Sequence, residues 1–344
     1  MRRFWNTHIE PIMRTVRPQR ILEIGADEGW NTGQVLNYCR ENGAFADIVD
    51  TMWSHGINHV FSQHSRDYCA FHQMTSLEAI PLLPPADIIL LDGDHNWRTV
   101  YQEFSAFFDH AAKNNAKPPI VLFHDAAWPY ARRDMYYAPE RMEEQFRHPF
   151  AYKGIKLDQS ELSDEGMNCS LANALHEGGP RNGVLTAVED FVAEWPEPID
   201  LRVVPFFNGM GIFIPQSRMT PPLKAIVDSF FEADALMIAC KALETNTSHI
   251  LIAQEHLRRK LASQSEALER VRNFIKDPVA KIKERDAAIV SRDKRIGELE
   301  ADIRRLEAEM VECAQQYRLT TRVKNFASRV LRKITGSTQM NSGN

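Results

Sequence analysis

Residues 21–36 read ILEIGADEGWNTGQVL. The run Ile21–Ile24 is apolar and β-prone apart from Glu23. Gly25 and Gly29 follow, and both let a backbone turn sharply and approach a ligand closely. From Thr32 the pattern becomes helical. Strand, glycine turn and helix in that order predict the first βα unit of an open α/β sheet. The next strand, "ADIVD", ends on Asp50, about twenty residues on. In such a sheet that position meets ribose hydroxyls.

Further strands follow outward from this unit. "ADIILLDGD" (86–94), "PPIVLFHD" (118–125), "IDLRVVPFF" (199–207) and "GMGIFIP" (209–215) are short apolar runs bounded by turn residues. Thr32–Arg40 and Trp97–Lys113 have crossover-helix length. The alternation predicts a Rossmann-like, doubly wound, mostly parallel sheet whose last two strands form an antiparallel hairpin. The domain is expected over 1–216, with 148–183 as an insertion that acts as an acceptor lid.

The loop chemistry selects the ligand. Asp27 and Glu28 lie between Gly25 and Gly29. A dinucleotide site needs GxGxxG and a helix N-terminus facing a pyrophosphate. Acids there repel phosphate but suit a sulfonium and an amino group. S-adenosylmethionine is therefore expected, held by Glu23, Gly25, Gly29, Asp50 and Asp92. The segment "EIGADEG" resembles motif I of class I methyltransferases.

Asp92 ends one strand and His124–Asp125 end its neighbour, so their C-terminal ends converge beside the cofactor crevice. Asp92, His124 and Asp125 can share one cation there. His95, three residues beyond Asp92, faces the same spot. Asp94 is expected to N-cap the following helix. "LDGDH" followed by "HD" resembles the metal-dependent sugar O-methyltransferases, including the macrolide-sugar and cephalosporin-type enzymes. That resemblance covers roughly residues 15–215. It implies that Asp92 binds a divalent ion, Mg or Mn, and that His95 is the base. The family carries Glu-Asp where this chain has His124–Asp125. "HDAAWPYARRDMYYAPE" and "GGPRNGVLTAVEDF" look like a bacterial branch of class I methyltransferases. Trp128, Tyr130, Arg132 and Arg133 offer aromatic faces and cations to a sugar acceptor.

The C-terminal third has another character. "PPLKAIVDSFFEADALMIACKALE" (221–244) reads as one helix within a connector over 217–247. Ile282, Ile289, Ile296, Ile303, Met310 and Tyr317 recur every seven residues, and Leu299, Leu306 and Cys313 add a second seam position. A coiled coil over 248–317 is expected, joining chains as a parallel dimer or trimer. After Glu312 there is no acid, and Arg318–Ile334 carries six basic residues with one apolar face. It is expected to lie on an anionic membrane surface, ahead of a disordered tail within 318–344.

The 344 residues are 44% apolar and 25% charged, with a net charge of -5, which argues against nucleic acid as partner. Five scattered cysteines without metal spacing suit a reducing compartment. No apolar N-terminal run marks a signal peptide. A cytoplasmic enzyme, peripheral at the inner membrane face, is expected to act on a sugar or lipid-linked glycan hydroxyl. The competing expectation is a degenerate methyltransferase domain serving as a coiled-coil scaffold.

Overall fold

The structure is a computed structural model that describes residues 1–157, 159–275 and 285–316. It divides into two units, Met1–Glu232 and the helical part from Ala233 onward.

The first unit is built on a seven-stranded sheet. Its strands are β1 (Arg20–Ile24), β2 (Phe45–Asp50), β3 (Cys69–Gln73), β4 (Ile88–Leu91), β5 (Ile120–His124), β9 (Ile199–Val204) and β10 (Met210–Pro215). Their order is β3-β2-β1-β4-β5-β10-β9. The first five strands pair in parallel, and β10 runs antiparallel to both β5 and β9. The expected sheet and terminal hairpin are therefore present, with β10 between β5 and the edge strand β9. The strand order reverses between β1 and β4, which places a crevice at their C-terminal ends.

Helices cover both faces. They are α1 (Glu10–Val16), α2 (Trp30–Asn42), α3 (His55–Ser62), α4 (Ser76–Ala79), α5 (Trp97–Lys113), α6 (Val184–Glu194) and α7 (Pro221–Ser229). One core packs Ile12, Val35, Leu36, Leu223 and Val227 against Ile21, Ile48 and Leu90. The other packs Val100, Phe104, Phe108, Val188 and Phe191 against Ile89, Val121 and Phe213. Successive residues of β4 are buried alternately in these two cores, so the strand reads IILL without polar breaks.

Three expectations change. The 148–183 segment is not all loop. β7 (Phe150–Tyr152) and β8 (Ala172–Ala174) join β6 (Met135–Tyr136) in a small antiparallel sheet. A bridge from Met135 N–H to His95 O, 3.0 Å, fixes that sheet to the turn after β4. The helix expected over 221–244 is two helices. α7 ends at Ser229, held by burial of Leu223 and Val227 four residues apart, and α8 (Ala233–Ile275) starts after a break. Asp94 is not the cap of α5. Asn96, in extended backbone, accepts the Thr99 N–H at 2.8 Å. Asp94 instead takes the Thr99 hydroxyl at 3.0 Å and braces the turn that carries His95.

α8 and α9 (Arg285–Gln316) make up the second unit. Ile282, Tyr317 and the basic segment Arg318–Ile334 lie outside the described residues, so the coiled-coil and membrane expectations are not decided by them. Among the described residues no helix is long and apolar enough to cross a membrane.

Candidate active site

The glycine turn sits directly above the end of β4. Gly25 has φ +83°, and a Cβ there would lie 2.0 Å from the Asp92 carbonyl oxygen. Only glycine brings β1 and β4 this close at their ends. Gly29 also has positive φ and caps α2. Asp50 accepts the N–H groups of Ala26 at 2.7 Å and Met52 at 2.8 Å. It thus shapes the glycine turn itself, a role the expectation of a ribose contact did not include.

Glu23 is buried at the end of β1. Asn31 donates to one of its oxygens at 2.7 Å, and the other has no partner. Burial pushes its carboxyl up to about 7. The Met1 ammonium lies 2.6 Å from Asp92 Oδ2, with the Met1 side chain buried. Asp92 thus pairs with a cationic amine. These features fit S-adenosylmethionine. One unpaired carboxylate oxygen, a cation-binding acid and a close backbone turn stand where its amino acid end would be held.

An acid whose folded pKa is raised binds its proton more tightly folded than unfolded. Glu23 therefore subtracts stability as pH rises from its ordinary 4.5 to about 7. A cationic ligand favours the ionised form. S-adenosylmethionine affinity is expected to rise about tenfold per pH unit below 7 and to level above it. Calorimetry from pH 5.5 to 8.5 measures this. Glu23→Gln should flatten the profile, and a flat wild-type profile would remove Glu23 from the site.

Four side chains converge beside this crevice. One ligand atom from each of Asp92, His95, His124 and Asp125 lies within 4.8 Å of the others. His95 Nε2 is 2.7 Å from Asp125 Oδ2 and 3.7 Å from Asp92 Oδ1. His124 Nδ1 is 2.9 Å from Asp125 Oδ2 and 3.2 Å from Asp92 Oδ1. His124 Nε2 faces the Phe207 carbonyl at 3.1 Å, so that nitrogen carries the proton. Its Nδ1 then meets two carboxylates. That contact is attractive only with a second proton or a cation at Nδ1. A carbonyl holding the far nitrogen is also how metal-binding imidazoles are oriented.

The electrostatics agree. Burial by itself raises Asp92 and Asp125 and lowers both histidines. The opposite charges override it. Asp92 falls well below the carboxylate range and Asp125 falls too, while His95 rises well above its ordinary value and His124 rises. Asp125 also has φ +57°, a conformation uncommon outside glycine, adopted where its carboxylate meets both histidines.

The expected acceptor residues are mostly structural. Arg133 is fully buried and donates to the carbonyls of Ala174 and Ser160. It cannot reach a substrate. Tyr130 is buried in a small cluster with Met135 and Ile155, its hydroxyl tied to Asn168 at 2.7 Å and Asn173 at 3.2 Å. Arg132 is paired with Glu189 on α6 through two bonds. Trp128 is half-buried against the same cluster as Tyr130. Tyr137 was not foreseen. It is 62% exposed, with its ring 5.7 Å from that of His95. The N-terminal segment was also missed. Arg2 lies over the Trp30 ring at 4.0 Å, and Phe4 stacks edge-on against His124 at 5.9 Å.

The fold opens an acid-lined crevice at the switch point of its sheet, the place where open α/β sheets bind ligands. Residues 22–126 match the family model described as a methyltransferase domain. The chain therefore carries a methyltransferase domain over residues 22–126. No curated protein matches it. Similar solved structures include the SAH-bound methyltransferase PaMTH1 of Podospora anserina, at 14% identity and TM-score 0.36 over 60% of this chain and 76% of that one. Another is the O-methyltransferase of Bacillus cereus in complex with SAH, at 12% identity and TM-score 0.36 over 62% and 80%. A third is a putative caffeoyl-CoA O-methyltransferase of Staphylococcus aureus, at 12% identity and TM-score 0.35 over 60% and 80%. At these TM-scores the likenesses add nothing to the domain match and the geometry.

Proposed function

We propose that the protein is a metal-assisted O-methyltransferase that methylates a hydroxyl of a sugar in a surface glycan or secondary metabolite. The observation that carries this reading is the two-histidine, two-carboxylate cluster beside the glycine turn. A sugar hydroxyl is a weak nucleophile at neutral pH, and such a cluster supplies the proton acceptor it needs.

Asp92, His124 Nδ1 and Asp125 are the groups that would hold the ion. A divalent cation held there would supply Lewis acidity toward a hydroxyl and would offset the carboxylate charge that otherwise keeps His95 protonated. Imidazole beside oxygen ligands suits Mn better than Mg. His95 Nε2 takes the hydroxyl proton, and Asp125 stabilises the imidazolium that results. Glu23 and Asp92 orient the cationic end of the methyl donor. Exposed Tyr137 supplies an aromatic face for the sugar ring. The test is release of demethylated cofactor with Mn, S-adenosylmethionine and a panel of free and nucleotide-linked sugars. Turnover on amines but on no hydroxyl compound would overturn the reading.

The basic segment Arg318–Ile334 extends the proposal to location. A glycan carried on a lipid is presented at a membrane surface. Each Lys or Arg near anionic lipid contributes about 1 kcal/mol. Full-length protein should sediment with anionic liposomes at low salt and be released at high salt. A chain ending at residue 317 should stay in the supernatant. Equal sedimentation of the two would reject the membrane contact.

A further inference from the structure

The heptad repeat of α9 is only half used inside the chain. Lys260 on α8 pairs with Glu309 on α9 at 3.8 Å. A parallel arrangement would separate the end of α8 from the start of α9 by about 58 Å. The roughly ten intervening links reach only ~36 Å. The two helices therefore form an antiparallel hairpin. Leu299 and Leu306 share the face of Glu309 and are 7% and 5% exposed. On α8 the half-buried positions Ala253, Leu257, Lys260, Gln264, Ala267 and Val271 alternate by three and four and form the facing seam.

The other seam stays open. Ile296 and Ile303 are 36% and 38% exposed, and on α8 Leu261 and Leu268 are 55% and 44% exposed. Each pair is seven residues apart. The antiparallel register sets Leu268 beside Ile303, so the four side chains make one apolar edge along the hairpin. A coiled-coil repeat is satisfied only when both seam positions are buried.

We propose that a second copy of this chain covers that edge, giving a two-fold, four-helix bundle. Three features select a second copy. The edge is built from the same repeat as the closed seam, so an identical hairpin fits it by symmetry. Charge agrees. Residues 258–270 of α8 carry four Lys or Arg against two acids, and 298–309 of α9 carry five acids against two arginines. Placing α8 beside the second copy's α9 repeats the attraction that Lys260 and Glu309 already make within the chain. Every neighbouring helix pair in the bundle is then antiparallel. Size agrees as well. α9 has 32 residues, so it is about 48 Å long. Two helices side by side give a strip of roughly 900 Å², close to the ~800 Å² per partner of a stable interface. This arrangement differs from the parallel coiled coil expected from the repeat, because Leu299 and Leu306 are occupied within the chain.

The test is the mass of the full-length protein in solution by light scattering and sedimentation equilibrium. Twice the chain mass is expected. Leu268→Glu with Ile303→Glu should give a monomer of unchanged helicity. Leu236→Gln with Met237→Gln, exposed elsewhere on α8, should leave the dimer intact. If the glutamate variant loses helicity, Leu268→Gln with Ile303→Gln replaces it and should raise the dimer dissociation constant at least tenfold. A monomeric wild type, meaning that some other segment covers the edge, would overturn the proposal. So would a trimer, or a dimer indifferent to both pairs of substitutions.

Discussion

Gly25→Ala is expected to lower stability by about 3 kcal/mol or more and to abolish measurable S-adenosylmethionine binding. The added Cβ would fall 2.0 Å from the Asp92 carbonyl oxygen, 2.4 Å from its carbon and 2.8 Å from the Gly93 nitrogen. All three are backbone atoms, so no side chain can rotate away. The left-handed φ of +83° adds roughly 1–2 kcal/mol for any L-residue. Relief requires the turn to lift off β4, and that displaces Asp92 and separates it from Glu23. Gly43→Ala is the control. Gly43 also has positive φ, at +67°, but a Cβ there meets nothing within 4 Å. It should cost about 1 kcal/mol and leave binding unchanged. Denaturant unfolding and calorimetry on both variants decide the matter. Equal costs, or intact binding in the Gly25 variant, would show that the close approach of β1 and β4 does not build the cofactor site.

What could be read from the sequence followed the length of each signal. β4 and β5 are buried on both faces and appear as apolar runs up to their ends, and the apolar run of β1 is broken only at Glu23. β3, "CAFHQ", was missed because it lies at the sheet edge and is only partly buried, so polar residues interrupt it. β6, β7 and β8 are two or three residues long and show no periodicity at all. Asp92, His95, His124 and Asp125 were legible because they stand at strand ends that the topology brings together. Arg133 was misread for the opposite reason. An arginine among aromatics looks like a ligand contact, and only the folded chain shows two carbonyls closing over it. Tyr137 follows Tyr136 in sequence. Tyr136, the last residue of β6, turns inward to Asp134, while Tyr137, just past the strand, stays exposed near His95. The repeat in α9 was visible, but a repeat does not name its partner. That depended on Lys260 and Glu309 meeting within one chain.

The second large effect is expected from removing the ion or its holders. Treatment with excess chelator should suppress transfer to a hydroxyl acceptor by about 100-fold or more, restored by Mn. His124→Ala should weaken Mn binding by at least ~100-fold if His124 holds the ion, since its imidazole is oriented by the Phe207 carbonyl. His95→Ala should behave differently. Its Nε2 is 3.7 Å from Asp92 but 2.7 Å from Asp125, so its principal role is toward the proton and not the ion. That variant should keep Mn affinity within about tenfold and S-adenosylmethionine binding unchanged, while kcat drops ~100-fold or more. The contrast separates two arrangements of the same four side chains. If both histidines lose Mn binding equally, all four residues are ligands, and the base must lie elsewhere, with Tyr137 the nearest exposed candidate. If neither variant changes Mn binding and the chelator has no effect, protons on the two histidines alone balance the charges of Asp92 and Asp125. The cluster is then an acid–histidine network that positions His95, and transfer proceeds by general base catalysis without an ion.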